Sequence, residues 1–244
     1  METTQDLLLG GAIKLYQPLT GYRFGIDAVL LAASVVAKEN QKILDVGTGV
    51  GVVLLCIGSR LQDCQLTGLE IQHELVELAS KNIQLNHMQG RACIIQGTVQ
   101  NPPQEIQPNS FDHVVTNPPY MADEISEVSP YVLKAISHHG SEVTLEEWLK
   151  FCTKMLKPKG LLTLIHRADR LPKLLSLISK SFGEIVVLPL WSKTDKPAKR
   201  IIIRAKKRAR TPLCLLPGLV LHNEDGTYTT GVNQILRTPT AMQF

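Results

Sequence analysis

Short, nearly continuous apolar runs alternate with stretches of helical period along most of the chain. Lys42–Val46, Gln65–Glu70, Ala92–Gln96 and Asp112–Thr116 have the length and apolar content of buried strands. Between them, Val52–Ser59 and His73–Leu85 read as helices, the second clearly amphipathic. Thr144-Leu145-Glu146-Glu147 predicts a capping box that starts a helix to about Leu156. Pro158-Lys159-Gly160 turns into the strand Leu161–His166, and Arg170–Phe182 is helical. Glu184–Leu190 and Lys199–Ala205 are the last two sheet strands. This alternation predicts an α/β fold built on a doubly wound, mostly parallel sheet of seven strands with helices on both faces.

The flanks follow other patterns. Leu7 to Gln17 predicts a short β-ribbon turning at Gly10-Gly11, followed by a loop over Gly21–Gly25. Asp27 caps or begins an apolar helix from Ala28 to Val36. The stretch from Pro212 to Phe244 is less regular, with a hairpin signal at Asp225-Gly226. With no internal repeat and no low-complexity linker, residues 1–244 form one domain. It divides into an extension (1–40), a core (41–210) and a tail packed on that core (211–244).

Composition narrows the class. At 44% hydrophobic and 20% charged, the 244 residues can build a sizeable core. The five cysteines include no Cys-x-x-Cys, which fits a reducing compartment rather than a disulfide framework. No secretory signal appears and Leu7-Leu8-Leu9 is too short for a membrane span, so a soluble, cytoplasmic protein is expected; a monomer is expected as well. The net charge of +4 is uneven: nine basic residues against one acidic between Lys193 and Arg210 give +8, leaving −4 for the rest. Such a run is either a phosphate-facing stripe, with Lys196, Lys199 and Arg200 flanking the strand and free to reach RNA, or an edge strand protected by lysines.

Two motifs carry the chemistry. Leu44-Asp45-Val46-Gly47-Thr48-Gly49-Val50-Gly51 follows the first core strand and enters a helix. Its glycines permit a tight turn and close approach of a nucleoside cofactor, and Asp45 can orient the loop or hold an ammonium through water. Glu70 ends the next strand and suits a ribose diol, since one carboxylate accepts from two hydroxyls. The Gly-x-Gly-x-Gly spacing leaves less of a pyrophosphate cradle than Gly-x-Gly-x-x-Gly, which favours S-adenosylmethionine over a dinucleotide. Asn117-Pro118-Pro119-Tyr120 follows a later strand. The Asn117 side-chain oxygen and the Pro118 carbonyl are two acceptors for a planar amino group, Pro119 stiffens the substrate turn, and Tyr120 offers a stacking face. The pair predicts methylation of an amide or exocyclic amine nitrogen. The adjacent His138-His139 lacks metal-ligand spacing, so no metal is expected. Trp148 has core spacing, and Trp191 is either packed at an edge or available to a base.

These residues resemble the class I Rossmann-like methyltransferases of the small-domain group. Tyr22 to Leu31, Leu161 to Arg170 and Leu219 to Tyr228 extend the likeness to the bacterial valine-tRNA adenine-N6 methyltransferase family. The resemblance implies S-adenosylmethionine held by Gly47–Gly51 and Glu70, target adenine held by Asn117, Pro118 and Tyr120, and a tRNA substrate methylated 3′ of the anticodon. Where related enzymes often carry Gly-Asp after the third strand, this chain has Gly97-Thr98; Thr98 can accept from the cofactor's adenine without charge. Two alternatives use the same residues: a glutamine N5-methyltransferase acting on release factors, and an RNA-binding protein that keeps the fold without turnover. The former usually has a helical N-terminal domain, for which the roughly 40 residues before the first core strand are too few.

Overall fold

A computed structural model describes residues 2–20, 23–119 and 143–242. The chain opens with an antiparallel hairpin, β1 (Thr3–Leu8) and β2 (Ile13–Pro18), turning through a single 3₁₀ turn at Leu9–Gly11. Helix α1 (Ile26–Ser34) follows, with Asp27 in its first turn and Gly25 as its cap. The core then runs β3 (Lys42–Val46), α2 (Val52–Arg60), β4 (Gln65–Glu70), α3 (His73–Leu85), β5 (Ala92–Gln96) and β6 (Phe111–Thr116). After the capping box comes α4 (Leu145–Met155), in which the Thr144 hydroxyl accepts from the Glu147 amide and the Glu147 carboxylate accepts from the Thr144 amide. The remaining elements are β7 (Leu156–Arg167), α5 (Leu171–Ile178), β8 (Phe182–Trp191), β9 (Arg200–Lys207), the two-residue strands β10 (Cys214–Leu215) and β11 (Leu219–Val220), and α6 (Thr230–Arg237).

The large sheet has the order β10-β8-β9-β7-β6-β3-β4-β5, with β11 also on β8. Among the described strands of this sheet only β9 runs antiparallel to its neighbours, which makes the sheet mostly parallel. Nine strands replace the seven expected, because the tail adds β10 and β11 in series along the free edge of β8. Two local expectations also fail. Pro158-Lys159-Gly160 is a bulge inside β7 rather than a turn before it: the register against β6 shifts there and Lys159 has φ of +67°. The helix expected to reach Phe182 stops at Ile178, because Phe182 pairs with Lys207 in the sheet and tertiary pairing overrides a helical pattern.

Side chains alternate across the sheet and divide the core in two. On one face Ile43, Leu66, Val115, Ile165 and Ile202 pack with α1, α2 and α6; on the other Leu44, Val46, Val114, Leu164 and Ile203 pack with α4 and α5. The hairpin is docked by side chains standing in for a strand. The Lys14 amide donates to Asn86 Oδ1 at 2.9 Å and the Tyr16 amide to Asn82 Oδ1 at 2.7 Å, while both asparagine amides donate back to the same residues' carbonyls. Asn82 also donates to the Val50 carbonyl at 3.0 Å, tying the hairpin to the glycine loop. Among the described residues no helix is long and apolar enough to cross a membrane.

Candidate active site

The carboxyl ends of parallel strands share one edge, and loops leaving that edge form ligand sites in open α/β sheets. Here β4, β3 and β6 lie side by side and end at Glu70, Val46 and Thr116. Val46 and Thr116 are register partners, so the glycine loop and Asn117 leave neighbouring strands at the same level.

Gly47, Gly49 and Gly51 have φ of +74°, +57° and +87°, alternating with Thr48 and Val50. Residues with a Cβ rarely adopt that region, which explains the spacing of the motif. The Gly47 and Thr48 amides donate to the Leu69 carbonyl at 2.9 and 3.1 Å. A Cβ at Gly47 would lie 3.1 Å from the Trp148 ring, whereas one at Gly49 would meet nothing within 4 Å. The loop therefore rests on Trp148 and turns an open side outward at Gly49, which fits a cofactor lying close against the backbone.

Glu70 is 6% exposed. One carboxylate oxygen accepts from the Gly49 amide at 2.9 Å, the other from the Ile71 and Gln72 amides at 2.9 and 3.0 Å. A carboxylate has roughly four acceptor positions, so about one remains for a ribose hydroxyl while these bonds hold. Asp45 is 1% exposed and accepts from the Thr48 hydroxyl at 2.6 Å. Burial raises its carboxyl to about 7, with the charge of Glu70 adding to the rise and the Thr48 bond opposing it. Such a group favours a cation beside it, as the amino end of S-adenosylmethionine would supply. Thr98 lies past the end of β5, next to Glu70, where its hydroxyl oxygen accepts from the Asn101 amide at 2.8 Å.

Asn117 is half-buried, Pro118 buried and Pro119 exposed. Tyr120, His138 and His139 lie outside the described residues. Two residues beside the site were missed as site residues in the sequence. The Trp148 indole nitrogen donates to the Thr116 hydroxyl at 2.9 Å, and that hydroxyl donates to the Val46 carbonyl at 2.8 Å. Helical spacing identifies Trp148 as buried but carries no information about where its N–H points.

The basic run does not form one stripe. Because β9 is antiparallel, it begins at the carboxyl edge of the sheet and ends at the opposite edge, roughly 25 Å away at about 3.3 Å per residue. Lys196 and Lys199 are exposed at the carboxyl edge, Lys196 beside Asp195 at 3.1 Å. Arg200 is not free as expected: its Nε donates to Asp27 at 3.0 Å, joining β9 to α1. At the far edge Lys206 pairs with Glu184, and Lys207 donates to the Leu156 carbonyl at 2.6 Å and is 8% exposed. Trp191 donates to the Pro217 carbonyl at 3.0 Å, which fixes it against the tail. At the carboxyl edge Arg167, which ends β7, pairs with Asp169 at 2.6 Å. Among the described residues no group of three or more histidine, cysteine or acidic side chains is placed to hold a metal.

Comparison with known proteins agrees with this geometry. The family model described as methyltransferase small domain matches residues 23–189. The tRNA1(Val) (adenine(37)-N6)-methyltransferase of Dyadobacter fermentans is 25% identical over 82% of each chain, and that of Aeromonas hydrophila is 23% identical over 85% of each. Among solved structures, the Agrobacterium tumefaciens protein Atu636, described as a predicted O-methyltransferase, superposes with a TM-score of 0.73 at 22% identity, covering 88% of this chain and 98% of its own. At that identity the likeness shows the Rossmann-like fold alone.

Proposed function

The chain belongs to the methyltransferase small-domain family, and on that premise we propose that it is an S-adenosylmethionine-dependent enzyme that methylates the exocyclic N6 of an adenosine in the anticodon loop of tRNA. The observation that carries this reading is the pairing of Val46 with Thr116, from which the glycine loop and the Asn117-Pro118 acceptor pair emerge side by side. The names of the Dyadobacter and Aeromonas relatives supply the substrate class.

When bound, S-adenosylmethionine supplies an activated methyl group on a sulfonium. The loop Gly47–Gly51 and Glu70 would hold it, with Asp45 available to its cationic end and the Thr98 hydroxyl to its adenine. Catalysis is then mostly positioning of the nucleophile. An adenine amino group delocalises its lone pair into the ring. Accepting its two hydrogens at Asn117 Oδ1 and the Pro118 carbonyl draws the nitrogen towards tetrahedral geometry and stabilises the positive charge that develops there. Pro119 and Tyr120 pack on the base, and no general base is needed for the transfer itself. Lys196 and Lys199 take phosphates beside the site. Residues 1–244 work as one domain, as a cytoplasmic monomer.

The test supplies methyl-labelled S-adenosylmethionine with bulk tRNA and, separately, a peptide-chain release factor. Label should enter tRNA and be recovered as N6-methyladenosine. Label in glutamine of the release factor, or in neither acceptor, would overturn the assignment.

A further inference from the structure

We propose that Trp148 and Thr116 form a positioning relay that sets the gap between the cofactor loop and the acceptor pair. The inference rests on the methyltransferase reading above. The capping box fixes where α4 starts, and Trp148 follows in its first turn, with its amide bonded to the Thr144 carbonyl at 3.0 Å. From there the indole reaches under the carboxyl edge with 8% exposure, and Thr116 and Val46 are fully buried.

An indole N–H can only donate, and a threonine hydroxyl has one hydrogen. With Trp148 donating to the Thr116 oxygen at 2.9 Å, that oxygen must accept there, and its own hydrogen is directed to the Val46 carbonyl at 2.8 Å. The hydroxyl rotor is thereby locked. Val46 immediately precedes Gly47, and Thr116 immediately precedes Asn117. The last paired residues of β3 and β6 are Val46 and Thr116, so this side-chain bridge is the final cross-link before the two functional loops part. The same ring meets the glycine loop with its carbon edge, since Cζ2 and Cη2 would both lie 3.1 Å from a Cβ on Gly47. One side chain thus supports the cofactor loop from beneath and fixes the strand that presents Asn117. In-line transfer is sensitive to that spacing, for a displacement of about 1 Å can cost on the order of 100-fold in rate.

The test has two arms. T116V keeps shape but removes the hydroxyl, W148F keeps a ring but removes the N–H, and T116S restores the hydroxyl. T116V and W148F should each lose about 10- to 100-fold in kcat; in T116V, which leaves the ring under Gly47 intact, the dissociation constant for S-adenosylmethionine and the KM for tRNA should stay within about threefold of wild type. T116S should stay within about threefold in kcat. Wild-type kcat in T116V, an equal loss in T116S, or a loss recovered at saturating cofactor would overturn the relay. The second arm needs no acceptor and so separates this inference from the tRNA reading. The chain has two tryptophans; in W191F, Trp148 is the sole indole, and adding S-adenosylhomocysteine should shift or quench its emission. Saturable binding with unchanged emission would overturn the placement of Trp148 beneath the cofactor loop.

Discussion

Asn117 has the simplest predicted effect. Asn117→Ala removes one of two acceptors on the reacting nitrogen and should cost on the order of 10²–10³ in kcat. Its affinity for S-adenosylmethionine, measured by calorimetry, should not change; near-normal turnover would refute the role. Asp45 makes a different prediction. Its carboxyl is held at about 7 in the folded protein against an ordinary value of 3.8. Between those values the folded state keeps a proton that the unfolded state has lost, so stability falls as pH rises from about 4 to 7. At about 1.4 kcal/mol per unit, the loss is a few kcal/mol. Asp45→Asn has no such proton, so its melting temperature should decline less across that window and exceed wild type at pH 8. Parallel melting curves would show that Asp45 does not titrate there. These two residues were legible in the sequence because a motif names its own members. The three amides on Glu70 were not, since they depend on how the glycine loop and the start of α3 fold around one carboxylate.

At the scale of elements, strands β3 to β6 and helix α3 were readable almost to the residue, because each is bounded by a change in hydrophobic period or by a turn residue. The errors fell where partners distant in sequence decide the outcome. Pro158-Lys159-Gly160 has the sequence of a turn, yet pairing of β7 with β6 absorbs it as a bulge. Leu219-Val220 has too little pattern to predict a strand, and it becomes one only because β8 has a free edge. The hairpin dock is equally invisible in the sequence: Asn82 and Asn86 are ordinary polar positions in and at the end of an amphipathic helix until β2 lies against them. Asn82 is fully buried and makes three hydrogen bonds to backbone. Asn82→Ala would leave those groups without their partner and should cost about 1–3 kcal/mol in urea unfolding. It should also speed hydrogen exchange of the Tyr16 amide. Unaltered protection at Tyr16 would mean that β2 is held in some other way.

At the scale of the molecule, charge was the hardest property to read, because a contiguous run in sequence is cut in two by the strand that carries it. Lys196 and Lys199 sit on the carboxyl edge, and Lys206 and Arg208 lie at the other end of β9. Neutralising Lys196 and Lys199 should lower the salt slope of tRNA binding by about 1.5, at roughly 0.7–0.9 per lost phosphate contact. Neutralising Lys206 and Arg208 should leave it unchanged. Equal effects from the two pairs, in affinities measured across a salt series, would return the whole run to service as one stripe.

The hairpin and α6 close one core together: Leu8 and Leu9 share a cluster with Val232 and Ile235, and a Cβ on Gly10 would come within 2.6 Å of the Arg237 carbonyl. In a living cell those partners are separated by time. Leu9 is made about 220 residues before Val232, a delay of roughly ten to forty seconds at 5–20 residues per second. By the end of that interval the glycine loop and Asn117 have been made while the hairpin turn still lacks its cover. Nascent chains stalled before residue 230 should therefore be cut by protease at the hairpin turn, and fully released chains should resist. Equal resistance at both stages would mean that α6 arrives after the closing event. On this ordering, the cover of the hairpin turn arrives late, with a helix whose Val232 and Ile235 pack into the core.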